Sequence, residues 1–290
     1  MYGAALMLER EELIEQAYLY KMLSERLPRG IPLQEVLEQV REESLATTKL
    51  PLALDYMLGE LRHYGVMSPA MRHLSHYFAP FQTYLIQEAE EEGGRFDIRT
   101  AFEILQCEVE YRASDPSPAG LFLFQFETLC RNRLKYDQGL KAISQDSCFN
   151  SDWQSWILIV RRQMGIVDFA DMVYVRSKHY YHRRFGEHSE EPPEKPLLFG
   201  IKEGKIAWAS RQKDPLFLFS ALQRQLGYPE VPRPKPTDDA PQLAAQLARR
   251  MEQLEGRLQL LEEEQRGGID LNKFFQGEAP FSQDAEPSSG

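Results

Sequence analysis

Residues 117–134 read Ser-Pro-Ala-Gly-Leu-Phe-Leu-Phe-Gln-Phe-Glu-Thr-Leu-Cys-Arg-Asn-Arg-Leu, and this stretch decides the fold class. Its apolar positions, Leu121, Phe122, Leu123, Phe124, Phe126, Leu129, Cys130 and Leu134, surround a helix on nearly every side, the pattern of a central, buried helix. Over residues 121–126 alone the run also fits a fully buried strand, because periodicity does not separate the two across so short a span. Pro118 favours helix: its fixed φ suits a first turn, where the missing N–H costs nothing, and the apolar run continues to helix length. Glu127 lies in line with Leu123, Cys130 and Leu134, so this helix carries a carboxylate into apolar surroundings. Such a group must be paired or neutralised. Arg131 or Arg133 is the expected partner, and the functional alternative is a tuned acid in a pocket.

Helical punctuation extends the all-α reading in both directions. Upstream, residues 10–27 repeat Leu13, Ala17, Tyr20, Leu23 and Leu27 at helical spacing. Pro32 then reads as the first residue of a helix burying Leu33, Val36, Leu37 and Val40, and Pro51 opens a third that Gly65 terminates. Ser68-Pro69 starts a fourth, which Pro80 bends or ends, and Asp97 caps a fifth carrying Ala101, Phe102, Leu105 and Val109. Downstream, Ser151 with Gln154 forms a capping-box pattern, and Asp168 caps one helix over residues 169–184. After a Pro-rich break at 190–196, segments 198–201 and 205–209 flank Lys202-Glu203-Gly204, the pattern of a small β-hairpin. Asp214-Pro215 caps a last body helix, stopped by Gly227.

These signals predict a multi-helix body over residues 9–227, after a flexible 1–8 and with a sub-boundary near 186–196. A Pro-rich linker follows at 228–237, since four prolines fall within residues 228–236. Beyond it, Leu247, Leu254 and Leu261 fall at heptad d positions, with Met251 and Leu258 at a, so 238–266 reads as an acidic coiled-coil-type helix. Residues 267–290 read as a disordered tail in which Ile269, Leu271, Phe274 and Phe275 form a candidate docking peptide.

The chain carries a net charge of −10, and from Thr237 onward 11 acidic residues stand against 5 basic ones. That balance argues against non-specific nucleic-acid binding, which needs a basic face to displace counterions. Three dispersed cysteines, Cys107, Cys130 and Cys148, with no C-x-x-C pair, fit a reducing compartment. No apolar run approaches the ~20 residues of a membrane helix, and no signal peptide is read, so the expected location is the cytoplasm, with no membrane partner.

Several constellations invite chemistry. His73 with His76, and His179 with His182, have the spacing of paired metal ligands but lack a completing Cys or carboxylate. Glu12, Glu15, Glu103, Glu110 and Glu127 lack the Glu-x-x-His pairs of a di-metal bundle, so neither metal nor cofactor is expected. Residues 172–185 interleave aromatics with Arg176, Lys178, Arg183 and Arg184; cations near a helix C-terminus complement its dipole, and the functional alternative is an anion or acidic-partner contact. Phosphate-cradling loops and nucleophile elbows are absent, which disfavours an enzyme. The expectation is an interaction or scaffold protein that self-associates or binds a protein through its C-terminal helix and tail. The rival is a helical enzyme or small-ligand-binding protein with a pocket lined by Tyr, His and Glu127.

Overall fold

Helix α7 (Pro118–Arg131) lies at the centre of the body, and every residue from 119 to 129 is buried. Ser117 opens it by accepting a hydrogen bond from the Gly120 N–H at 3.1 Å, with Pro118 in the first turn. The computed structural model describes residues 8–91, 96–186 and 193–234. Among them are thirteen α-helices and one isolated bridge, Ser177 to Phe199, but no strand, so the chain is predominantly α-helical. Among the described residues, no helix is long and apolar enough to cross a membrane.

The first six helices are α1 (Arg10–Arg26), α2 (Leu33–Glu43), α3 (Leu50–Tyr64), α4 (Ser68–His73), α5 (Pro80–Glu90) and α6 (Ile98–Ala113). Those after α7 are α8 (Tyr136–Ser144), α9 (Ser151–Gln163), α10 (Phe169–Val175), α11 (Lys178–Phe185), α12 (Ile201–Ser210) and α13 (Pro215–Leu226). Helix α1 lies along α6, α5 packs on α6 and α8, α7 meets α6, α8 and α13, and α12 is clasped by α10, α11 and α13. An aromatic cluster fills the centre. Phe122 stands 5.0 Å from Trp156 and 5.7 Å from Phe126 between ring centroids, and Phe126 reaches Phe169 at 4.6 Å. Each such pair adds about 0.5–1.5 kcal/mol to the burial of its rings.

Several local expectations are corrected. In place of the β-hairpin expected at 198–209, residues 201–210 form helix α12, while Phe199 makes an isolated bridge to Ser177, and Gly204 serves close packing rather than a turn. A Cβ at Gly204 would lie 2.3 Å from the Ser177 Oγ and 2.7 Å from the His179 Cβ. The single helix expected over 169–184 is broken at Ser177. Phe199 reaches across, its carbonyl accepting from the Lys178 N–H at 2.9 Å and its own N–H donating to the Arg176 carbonyl at 3.1 Å. Ser177 then starts α11 by accepting from the Tyr180 N–H at 3.2 Å. At α9 the cap is Asn150, which accepts from the Trp153 N–H at 3.0 Å, while Gln154 turns to the Phe149 carbonyl. Pro80 neither bends nor ends α4, which stops at His73, but opens α5, and Pro32 stands one residue before the first turn of α2. Helix α8 carries no signal that the sequence reading picked up.

The Pro-rich stretch begins inside the body: Tyr228 and Val231 are buried, and the Asn132 side chain donates to the Pro232 carbonyl at 3.4 Å. Glu127 is paired with Arg131, as expected, whereas Arg133 is exposed. The second ligand of Glu127 is the Tyr228 hydroxyl, which donates to Oε2 at 2.7 Å and also lies 3.1 Å from the Phe219 carbonyl. The heptad positions Leu247, Met251, Leu254, Leu258 and Leu261, and the tail residues Ile269, Leu271, Phe274 and Phe275, lie outside the described residues.

Two substitutions test this packing. Tyr228→Phe removes a donor from a buried carboxylate and should lower unfolding free energy by about 1–3 kcal/mol in denaturant titration. Gly204→Ala should cost about 1–3 kcal/mol through overpacking against Ser177; an unchanged midpoint would reject the close contact between α11 and α12.

Candidate functional site

On α6 the residues Ala101, Leu105, Glu108 and Arg112 fall on one inward face, so the apolar stripe of this helix ends in an ion pair. Arg112 Nε donates to Glu108 Oε1 at 2.7 Å and Nη2 to the same oxygen at 2.5 Å. Nη2 also donates to Asp146, and Nη1 reaches Asp146 Oδ1 at 3.3 Å and Cys148 Sγ at 2.9 Å. All five N–H groups of the guanidinium are therefore engaged. Glu108, fully buried, also accepts from Gln125 Nε2 at 2.9 Å and from Gln82 Nε2 at 3.2 Å. Gln82 extends the chain to Gln16 at 3.4 Å, and Gln16 donates to the Tyr77 carbonyl at 2.9 Å. The Tyr77 hydroxyl in turn donates to Glu12 at 3.1 Å, which also receives the Lys49 N–H ahead of α3.

Burial opposes the charge on Asp146, but the guanidinium of Arg112 outweighs it and holds the carboxyl below its ordinary range. Burial, helped by the charge on Glu108, pushes the Tyr20 phenol well above its usual value. Burial also drives the Cys148 thiol up to about 12 against the pull of Arg112, so Cys148 is a protonated, unreactive thiol at neutral pH.

One face of this network is the floor of a cavity of about 670 Å³, within the range of small-molecule pockets. Gln16, Gln82, Arg112, Asp146 and Cys148 form its polar floor. Leu8, Leu13, Phe78, Pro80, Pro118 and Leu121 supply apolar walls, and Ser75, His76, Asp115, Gln145 and Ser147 form the exposed rim. Of the residues expected from sequence to share a pocket, Glu127 and the basic-aromatic segment 172–185 do not line this cavity; Glu127 lies beneath the Tyr228 hydroxyl, and the Tyr and His side chains at the cavity are Tyr77 and His76.

The basic residues of 172–185 lie elsewhere. Arg183 and Arg211 lie 4.2 and 3.2 Å from the centroid of the same ring, Trp208, and Arg184 donates to the Tyr180 hydroxyl at 2.8 Å. Arg176 donates to the Pro196 carbonyl at 3.3 Å, while Lys178 is exposed. Burial lowers the pKa of His179, and the positive charges of Lys205 and Arg183 lower it further. The carboxylates once grouped as a di-metal set are dispersed: Glu15 accepts the Leu45 N–H, Glu110 pairs with Gln106, and Glu103 bridges to Arg99. His73 meets the Tyr56 hydroxyl at 2.9 Å. Among the described residues no group of three His, Cys, Asp or Glu side chains is placed to hold a metal ion.

Sequence reading missed Glu108, Arg112 and Asp146. The signal was present for two of them, since charged residues occupy the inward register of α6 one and two turns past Leu105. No family model, curated protein or solved structure matches the chain.

Arg112→Met should cost about 3–5 kcal/mol, because it strands two buried carboxylates. The pH dependence should also change sign. In the intact protein the contribution of Asp146 is complete above its unfolded pKa, near 3.8, and is lost as pH falls through its lower folded value. Without Arg112 burial alone acts on the Asp146 carboxyl and carries its pKa above the unfolded value, so the variant should gain stability between pH 7 and pH 5. A variant equally stable at both pH values would contradict the charge balance described.

Proposed function

We propose that the protein is a helical small-ligand-binding protein whose site is the cavity between α1, α5, α6 and the turn before α9. The observation that carries this reading is a half-open cavity of about 670 Å³ with apolar walls set over a hydrogen-bonded polar floor. Apolar walls with a few fixed polar groups are the usual composition of a small-molecule site. Binding fits these residues better than covalent catalysis, because Arg112 and its carboxylates are committed to one another and the Cys148 thiol stays protonated.

The test is to fill the cavity without touching its floor. Leu13→Trp, at a half-buried wall position, should leave the melting temperature within a few degrees and abolish ligand-induced thermal stabilisation across a panel of small amphiphiles. Equal stabilisation of parent and variant by every compound would remove the cavity as the site.

A second reading, association through the C-terminal segment, is supported by the seam of Leu247, Met251, Leu254, Leu258 and Leu261 in the sequence. Under it, Leu254→Glu should convert a dimer to a monomer in sedimentation. Identical sedimentation of parent and variant would reject self-association.

A further inference from the structure

Resting on the reading of the cavity as a binding site, we propose that its ligand is a cationic amphiphile, a protonated amine carried on an apolar body. The cavity is lined by one guanidinium, Arg112, and by two carboxylates, Asp146 and Asp115, with Glu108 bonded directly behind the floor. Arg112 has no N–H left for a ligand, since Glu108, Asp146 and Cys148 take all five. Both N–H bonds of Gln82 are directed to Gln16 and Glu108, and the Tyr77 hydroxyl serves Glu12. The donors of the floor are therefore turned to groups of the protein itself, Glu108 and Asp146 foremost, and the Arg and Asp side chains lining the cavity, Arg112 against Asp115 and Asp146, leave a net negative charge. An anionic ligand would meet that charge with no Lys or Arg besides the committed Arg112 among the described lining residues, whereas a cation is drawn toward it through low-dielectric walls.

Asp115 gives the charge a contact point. It lies at the rim in the left-handed region, φ 58°, and among the described residues no hydrogen bond to its carboxylate is seen. An ammonium group at the rim can donate to Asp115 while its apolar body lies against Leu13, Pro118 and Leu121. The left-handed backbone of Asp115 is also one that asparagine adopts readily, so Asp115→Asn removes the charge and keeps the turn.

The probes are octylammonium, octanol and octanoate, equal in chain length and different in charge, titrated into the full chain calorimetrically at neutral pH. Octylammonium should bind about tenfold or more tightly than octanoate, with octanol between them, and added salt should narrow the gap. Asp115→Asn should weaken octylammonium about three- to tenfold and leave octanol unchanged. Octanoate or octanol binding as tightly as octylammonium would overturn the cationic ligand while leaving the cavity a site. An ammonium preference undiminished in Asp115→Asn would overturn Asp115 as the contact point of the proposal. Failure of all three probes to bind, in the parent as in Leu13→Trp, would overturn the binding-site reading itself.

Discussion

The guanidinium of Arg112, clamped between Glu108 and Asp146 in the interior, is the constraint on which the rest of the body depends. Burying three charged groups costs several kcal/mol per ion unless each finds partners with good geometry. Here the partners come from separate elements: Gln82 from α5, Gln125 from α7, Asp146 from the turn after α8, and Gln16 from α1 through Gln82. A slip of any of these helices by one turn would leave a buried charge unpaired. The aromatic cluster around Phe122 supplies more apolar area but tolerates rearrangement of its rings far better than the ion triad tolerates a change of register.

The same saturation gives the cavity its character. A free arginine at the floor of an apolar pocket would mark an anion site, but an arginine with every donor engaged does not. Glu127 and Arg131 on α7 repeat the i,i+4 arrangement of Glu108 and Arg112, yet they do not line the cavity, and Tyr228 closes over the carboxylate. The two pairs show how one motif serves packing in one place and frames a pocket in another.

The basic and aromatic residues of α11 and α12 follow a comparable logic at the surface. Arg183 and Arg211 lie over Trp208, and Arg184 bonds to Tyr180, so these cations are held by the protein's own rings. Burial lowers the pKa of His179 in the same region, and the charges of Lys205 and Arg183 add to that depression.

Helix class, most helix ends and the central burial of α7 were legible in the sequence, because proline at first turns, Asx and serine caps and terminal glycines act within a few residues of themselves. The partner of Glu127 was legible for the same local reason, Arg131 lying one turn away. What folding alone decided were the features made by residues far apart in the chain. Phe199 breaks α10 from α11 through backbone hydrogen bonds, Ser177 makes Gly204 a packing glycine inside a helix, and Asp146 meets Arg112 across 34 positions. The cavity belongs to that second group. Its walls come from α1, the α4–α5 turn, the start of α7 and the turn before α9, and a space between elements leaves no period, cap or motif in any one of them.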